Sequence, residues 1–171
     1  IENAVLDAKA KILGVPCYEL FGGKVRDRVR VYWSHCGTWR IARGDIYPPA
    51  VKSLDDVRAL GKEVAERGFT AAKTNIFRET PEGLVGWNPG FNGQADPDRM
   101  PPRNVLVGLQ EYLSAFREGL GPDIDILLDL NFNARTEGYL SIIRALSDHD
   151  IFWIEIDTPH APALATIRNQ S

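Results

Sequence analysis

The sequence has little that points to a membrane, a nucleic acid or an oxidising compartment. Its longest apolar stretches, such as ILLDL and IFWIEI, are only a few residues long, whereas a membrane-spanning helix needs ~20. A formal net charge of −3 provides no basic surface for nucleic acid. Cys17 and Cys36 occur without a CxxC motif, which favours packing roles over a disulfide framework. With 44% apolar residues, we expect a globular protein of the cytoplasm.

The two ends of the chain are unusual for a complete protein. Ile1, rather than Met, comes first and lies inside a predicted helix, without a charged-then-apolar leader before it. The last residues, APALATIRNQS, resemble the beginning of another helix. We therefore expect no secretory signal and interpret the chain as an internal piece of a longer protein.

Hydrophobic periodicity predicts helices that alternate with strands. The first predicted helix covers 1–13 and is followed by a helical turn in CYELFGG, which ends in two glycines. Further predicted helices cover 54–67, 103–119 and 135–147, and predicted strands cover 29–34, 69–76, 124–129 and 151–156. Residues 77–102 are rich in Gly, Pro and Asn, which predicts a long ordered loop.

This order predicts an α/β fold with parallel strands joined by right-handed crossovers. A closed (β/α) barrel has eight such units in ~250 residues, so four units correspond to its first half. A doubly wound open sheet is the structural alternative, although no GxGxxG motif follows the first predicted strand.

Polar residues lie at the carboxyl ends of three predicted strands. Residues two apart share one face of a strand, which pairs Lys73 with Asn75 and Asp129 with Asn131, and brings Glu155 to the end of the last strand. Active sites of parallel barrels lie at this end of the strands. Two carboxylates beside amide oxygens suit Mg²⁺, which relieves their repulsion and polarises a bound carboxylate. Alternatively, Asp129 and Glu155 form ion pairs with Lys73 inside a packed barrel.

At these residues the sequence resembles the enolase superfamily, in particular its mandelate racemase/muconate lactonizing enzyme branch, which includes sugar-acid dehydratases. The opening AVLDAKAKILGVPCYELFGGKVRDRVRVY is similar to the junction where the last helix of an α+β capping domain leads into the first barrel strand. FTAAKTNIF is similar to the second strand with K-x-K, ILLDLNFN to the third with D-x-N, and FWIEID to the fourth with W-I-E-E-P. The resemblance implies that residues 1–27 end a capping domain, and that residues 28–171 form the first half of a TIM-type barrel continuing beyond Ser171.

The resemblance also implies roles for single residues. Asp129 and Glu155 match two of three Mg²⁺ ligands, and the third is expected beyond Ser171. Lys73 matches the first catalytic lysine of K-x-K, and Asn131 matches the amide that contacts the substrate. The implied chemistry is abstraction of the proton α to a carboxylate through an enediolate. Loss of a β-hydroxyl then gives dehydration, whereas return of the proton gives epimerisation.

Two departures from the family pattern narrow this chemistry. Asn75 stands at the second catalytic lysine, and an amide has no basicity near neutral pH. K-x-N resembles galactonate-dehydratase-like members, in which a histidine–aspartate dyad from later strands takes the proton. Those members have histidine where this chain has Asn131, which leaves the general acid open. We expect dehydration of an acid sugar, an aldonate or aldarate, with an epimerase, a lactone cycloisomerase or a non-catalytic homologue that binds acid and metal as alternatives.

Two rim residues are further candidates for contact with the substrate. His35 follows the first predicted strand and could equally be hydrogen-bonded within its loop. Arg135 follows the third and could equally be a surface residue where a helix begins. The expected partner is a small carboxylate, without nucleic acid or membrane, and the resemblance implies a homo-oligomer.

Overall fold

The computed structural model describes residues 1–91 and 100–171, which form two compact units, Ile1–Arg30 and Val31–Ser171. In the first unit, helix α1 (Glu2–Leu13) ends at Gly14, whose φ of 68° is readily adopted by a residue without Cβ. A 3₁₀ turn at Cys17–Phe21 ends at a pair of glycines. The predicted first helix and the predicted turn are both confirmed.

The second unit alternates helices with strands. Its helices are α2 (Thr38–Ala42), α3 (Leu54–Glu66), α4 (Arg103–Leu120), α5 (Thr136–Ala145) and α6 (Ala161–Gln170); its strands are β1 (Ala71–Thr74), β2 (Phe77–Thr80), β3 (Gly83–Gly86), β4 (Asp125–Asp129) and β5 (Ile151–Glu155). The predicted helices from 54, 103 and 135 are confirmed to within about two residues at each end. No helix in the described ranges is both long and apolar enough to cross a membrane.

The central sheet is parallel, as predicted, with strand order β1–β4–β5. Leu127 pairs with Lys73 on one side and with Trp153 on the other, and Asp129 pairs with Glu155. Because parallel strands in this register end together, the polar residues at their carboxyl ends form one row across the sheet.

Helices α3 and α4 cover one face of this sheet with apolar side chains. Val57 and Val64 of α3, and Leu109 and Phe116 of α4, are fully buried, and each such side chain stabilises the fold by about 1.5–3 kcal/mol. The two helices approach closely at Gly61, where a Cβ would lie 2.7 Å from the backbone nitrogen of Leu120. This close packing of α3 and α4 holds in place the sheet that carries the row of polar residues.

The start of α3 is determined by a local capping box. The Ser53 hydroxyl accepts a hydrogen bond from the Asp56 N–H at 3.2 Å, and the Asp56 carboxylate accepts one from the Ser53 N–H at 3.1 Å. These bonds satisfy backbone donors that a helix start otherwise leaves unpaired. The predicted start of this helix at residue 54 is confirmed.

The predicted strand over 29–34 is wrong for most of its length. Within this described range, Trp33 forms a single parallel bridge to Ala72, in which its N–H donates to Ala71 O at 3.0 Å. Val31 is 62% exposed. A β-branched side chain favours a strand mainly because it packs well against its neighbours on the face of a sheet. The exposed Val31 side chain has little of this packing. The predicted strand over 69–76 is likewise shortened to Ala71–Thr74.

The predicted long loop over 77–102 is also partly wrong, because β2 and β3 form an antiparallel hairpin in its first part. Phe77 pairs with Gly86, and Thr80 pairs with Gly83. Gly83 has a φ of 118°, a conformation that only glycine adopts without strain, and this allows the tight reversal. The abundance of turn residues across the whole segment concealed this short local pairing. Residues 92–99 lie outside the described residues.

Candidate active site

Two carboxylates and one ammonium group meet at the carboxyl ends of β1, β4 and β5. The Lys73 Nζ lies 3.1 Å from Asp129 Oδ2 and 2.5 Å from Glu155 Oε2. Lys73 and Asp129 are buried, at 5% and 3% exposure, and Glu155 is half-buried. Since one positive charge faces two negative charges, these three side chains leave one negative charge in excess. The ion pairs that the sequence allowed as an alternative are therefore present.

Lys73 is held as a cation by its surroundings. Burial by itself lowers the pKa of an ammonium group, but hydrogen bonds and charge from Glu155 and Asp129 outweigh it and raise the pKa of Lys73 above its ordinary value of 10.5. The rings of Tyr32 and Trp153 lie 5.9 Å and 6.0 Å from Nζ, within the range of cation–π attraction. In this arrangement, Lys73 supplies a positive charge and has no lone pair with which to accept a proton.

The loop after β4 holds Asn131 against Asp129. Oδ1 of Asp129 accepts from the backbone N–H of Asn131 at 2.9 Å and from its Nδ2 at 2.7 Å. Asn131 has a φ of 49°, a left-handed conformation that asparagine tolerates better than most residues. Its carbonyl accepts from Tyr139 Oη at 2.8 Å and from the Asp157 N–H at 3.0 Å. The predicted substrate amide is thus held in place from both sides.

Asn75 joins this row to the start of α2 and to His35 in the turn before it. Its Nδ2 donates to the Asp129 carbonyl at 3.2 Å and to Asn131 Oδ1 at 3.3 Å. Its Oδ1 accepts from Thr38 Oγ1 at 2.7 Å and lies 3.3 Å from His35 Nδ1. Asn75 is buried with every polar atom engaged, which suits an orienting group and not a base.

The structure brings six of the seven sequence-predicted site residues together and separates the seventh. The six are Lys73, Asn75, Asp129, Asn131, Glu155 and His35, which is exposed and lines a cavity of about 630 Å³ beside the two asparagines. Arg135 is exposed where α5 begins and lines another cavity, of about 340 Å³, with Asp157 and His160. Contact between Arg135 and the substrate stays a prediction.

The donor set at this row fits two ligands of a hard divalent cation. Asp129 and Glu155 offer carboxylate oxygens from adjacent strands, directed at one point, with a negative charge in excess. Across the described ranges, no group of three or more His, Cys, Asp or Glu side chains is arranged to hold a metal ion.

The sequence analysis did not identify Thr38 as a site residue, nor the aromatic rings of Tyr32 and Trp153 beside Lys73. Trp153 could have been found, because it lies on the same strand face as Glu155, two residues earlier. Tyr32 contacts Trp153 edge to face, with ring centroids 6.1 Å apart. Nothing in the sequence near Thr38 marks it, because its contact with Asn75 depends on where α2 lies in the fold.

Several curated relatives are named as dehydratases of sugar acids. The chain is 34% identical over 160 residues to the D-gluconate dehydratase of Thermoproteus tenax, covering 94% of this chain and 27% of the relative. It is 44% identical over 155 residues to the D-galactonate dehydratase of Xanthomonas euvesicatoria, covering 91% and 32%. The chain spans about a third of the length of the curated relatives it matches. No family model matches the chain.

Solved structures match the chain over almost its whole length. A candidate L-alanine-DL-glutamate epimerase from Burkholderia xenovorans strain LB400 is 55% identical, with a TM-score of 0.94 over 99% of this chain and 43% of that one. A second structure of that protein is bound to magnesium and fumarate. A member of the enolase superfamily from Salmonella Typhimurium, 20% identical with a TM-score of 0.75 over 98% of this chain and 41% of that one, shares the fold.

Proposed function

We propose that this chain, which belongs to the enolase superfamily, is part of a Mg²⁺-dependent enzyme that dehydrates an acid sugar. The reaction would begin with removal of the proton α to the substrate carboxylate and pass through an enediolate. The observation that carries this proposal is the convergence of Asp129 and Glu155 on a single point, with one negative charge in excess. The curated relatives support the substrate class, because they are named as dehydratases of gluconate and galactonate.

The fold proposed for the whole protein is a (β/α) TIM-type barrel, of which residues 28–171 form the first half. The parallel order β1–β4–β5 and the bridge at Trp33 support four consecutive barrel strands. An apolar groove beside β5 and α6, lined by Ile154, Leu164 and Ile167, supports a further β/α unit packed there. Residues 1–27 are proposed as the end of a capping domain and its linker into the barrel.

Asp129 and Glu155 are the proposed Mg²⁺ ligands, with a third ligand expected beyond Ser171. Magnesium bound to the Burkholderia xenovorans protein, which is 55% identical to this chain, supports the choice of ion. A bound divalent ion would stabilise negative charge that develops on the substrate carboxylate. The two carboxylates would otherwise repel one another, and Lys73 neutralises only one of them.

The other residues of the row would bind and orient the acid. The Lys73 ammonium is proposed to attract the substrate carboxylate, and the Asn131 amide is proposed to donate to it. Asn75 would hold Asn131 and cannot take a proton, so the general base must come from elsewhere in the full-length protein. A reaction that needs a base on each face of the α-carbon is therefore disfavoured relative to dehydration.

A second candidate reaction is epimerisation, favoured by the name of the Burkholderia xenovorans protein. Both reactions start with removal of the α proton. They differ in the fate of the enediolate, because dehydration releases water and gives a 2-keto acid, whereas epimerisation returns the proton. Deuterium exchange at the α-carbon without a keto acid would identify the epimerase.

The test uses the full-length protein with Mg²⁺ and a panel of aldonic and aldaric acids in D₂O. We expect a 2-keto product from at least one acid. We expect Asp129→Asn and Glu155→Gln to lower kcat/KM by at least ~10²-fold, because each removes charge from a ligand. The exposed Glu111→Gln is the matched control and should match wild type. If no acid gives either deuterium exchange or a 2-keto product, the proposal is rejected. Assembly as a homo-oligomer and a cytoplasmic location stay predictions.

A further inference from the structure

The orientation of the Asn75 amide is determined by its neighbours. The Asp129 carbonyl, 3.2 Å from Nδ2, can only accept a hydrogen bond, so the NH₂ group of Asn75 must face it. Oδ1 therefore faces the other way, towards Thr38 Oγ1 at 2.7 Å and His35 Nδ1 at 3.3 Å. An amide oxygen only accepts, so Thr38 is a donor in this arrangement and His35 Nδ1 must carry a hydrogen.

This contact selects one tautomer of His35. With Nδ1 bonded to hydrogen, Nε2 is the nitrogen that gains or loses a proton when the ring changes charge. The imidazole is exposed beside the cavity of about 630 Å³ that Asn75 and Asn131 also line. Of the described side chains that line this cavity, only His35 has a nitrogen that can act both as a donor and as an acceptor of a proton.

The backbone at His35 is held in an unfavourable conformation by its neighbours. Its φ of 49° is left-handed, a conformation that crowds the Cβ of an L-residue against its own backbone. Hydrogen bonds fix the chain on both sides, from Trp33 N–H to Ala71 O at 3.0 Å and from Cys36 N–H to the Lys73 carbonyl at 2.7 Å. Strain that is maintained in this way is typical of residues with a functional position.

We propose that His35 is the general acid that protonates the departing β-hydroxyl, an assignment that rests on the proposed dehydration. The Nε2–H bond breaks and its proton goes to the hydroxyl oxygen. The C–O bond breaks with its electron pair, so that water leaves, and electrons of the enediolate form the new C=C bond. His35 is left neutral, with Nδ1–H still bonded to Asn75, and regains its Nε2 proton from solvent.

The first test measures the tautomer and needs no turnover. In the full-length protein labelled with ¹⁵N-histidine, the neutral form of His35 should show a protonated Nδ1 and an unprotonated Nε2. His35→Asn identifies the resonances by their loss. A neutral His35 with its proton on Nε2 would overturn the proposal, because Asn75 would then not be orienting the ring.

The second test separates proton removal from loss of water. His35→Asn suits the left-handed backbone, since asparagine tolerates positive φ. We expect this variant to keep α-deuterium exchange within about threefold of wild type and to form keto acid ~10²–10⁴-fold more slowly. His149→Gln, outside the proposed site and before β5, is the control and should match wild type in both assays. If His35→Asn does not fold, judged by circular dichroism, His35→Gln replaces it.

The outcomes distinguish failure of the proposed role of His35 from failure of the proposed dehydration. A His35 variant that forms keto acid at the wild-type rate overturns the role of His35 and leaves dehydration intact. A variant that loses exchange together with product also overturns it, since His35 would then act on the α proton. Wild-type protein that shows neither exchange nor product with any acid rejects the proposed dehydration, and the assignment of His35 with it.

Discussion

At the scale of single residues, Lys73 determines how two carboxylates coexist at the end of the sheet. Its ammonium contacts both Asp129 and Glu155, and the rings of Tyr32 and Trp153 lie beside it. A divalent cation on the same carboxylates would compete with this ammonium for their oxygens. Lys73 therefore stabilises the protein without metal and is expected to shift when metal binds.

Replacing Lys73 by methionine should destabilise the metal-free protein strongly. Asp129 is only 3% exposed, and breaking a buried ion pair leaves an uncompensated charge that costs about 3–5 kcal/mol. Mg²⁺ should restore more stability to Lys73→Met than to wild type, because the competing cation is gone. Urea unfolding of the full-length protein with and without Mg²⁺ measures both effects. Lys62→Met, an exposed control, should change the free energy of unfolding by less than about 0.5 kcal/mol. If Lys73→Met and wild type have equal free energies of unfolding without metal, Lys73 does not stabilise the metal-free protein.

At the scale of elements, the helices that support the site depend on a cap and on close packing. Ser53 and Asp56 start α3 through reciprocal hydrogen bonds. Further along, α3 and α4 approach each other at Gly61 and Gly119, and a Cβ on Gly119 would lie 2.2 Å from the Arg58 carbonyl oxygen. Either feature can be changed without touching the polar row.

The capping box should make stability fall in acid. Hydrogen bonds from the Lys52 N–H first, and from Ser53 as well, lower the pKa of Asp56 below its ordinary value of 3.8. A carboxylate with a lowered pKa in the folded state stabilises the fold above its unfolded pKa, and this contribution is lost as the pH falls through the folded value.

Asp56→Asn should cost on the order of 0.5–1 kcal/mol at pH 7, and less as the pH falls below 3.8. Urea unfolding across pH 7 to 3 measures this, and the exposed Asp148→Asn is the control. A difference that is independent of pH would rule out the explanation.

Gly119→Ala should destabilise the protein although alanine favours helices. The new methyl group would meet backbone, which cannot move aside as a flexible side chain can, and overpacking costs about 1–3 kcal/mol. The gain in helix propensity is at most ~1 kcal/mol, so a net loss is expected. Thermal unfolding should show a lower Tm than wild type. The exposed Ser114→Ala on the same helix should leave Tm unchanged or slightly higher, and the same result for Gly119→Ala would mean that the helices can separate.

At the scale of the whole molecule, the last strand and helix of the chain present an apolar groove. Ile154 and Ile156 line it from β5 and the residue just after it, and Leu164 and Ile167 line it from α6. In a closed barrel, the next β/α unit would cover such a groove. The proposed half-barrel can therefore be tested at a groove that neither Asp129 nor Glu155 lines.

Leu164→Glu should destabilise the full-length protein by several kcal/mol if a further unit packs on the groove. Leu164 is 40% exposed in the present chain, and a charge there would be buried without a partner once it is covered. Ala165→Glu changes the neighbouring residue of α6, which is exposed and does not line the groove. Chemical unfolding should separate the two variants. Equal, small effects would mean that the groove faces solvent, and the barrel proposal would fail.

Local chemistry made most elements predictable. Helix ends such as those at Ser53 and Gly14 depend on neighbouring backbone groups and on one residue's freedom at positive φ, which are local properties of the chain. The residues of the polar row followed from the two-residue repeat of strands. Val31 failed as a strand residue because β-propensity measures fit to neighbours in space, and the hairpin from Phe77 was missed because its pairing spans only a few residues.

By itself, the sequence determined the parallel α/β order and the alignment of Asp129 and Glu155, since both follow from periodicity along the chain. Only the tertiary structure decided that Lys73 lies between these carboxylates, that Thr38 and His35 reach Asn75, and that Arg135 lies apart. The reason is physical. Periodicity indicates on which face of a helix or strand a side chain lies. The partners of that side chain depend on strand register and on the paths of the loops across the sheet. Both are determined by packing between segments that are far apart in the chain.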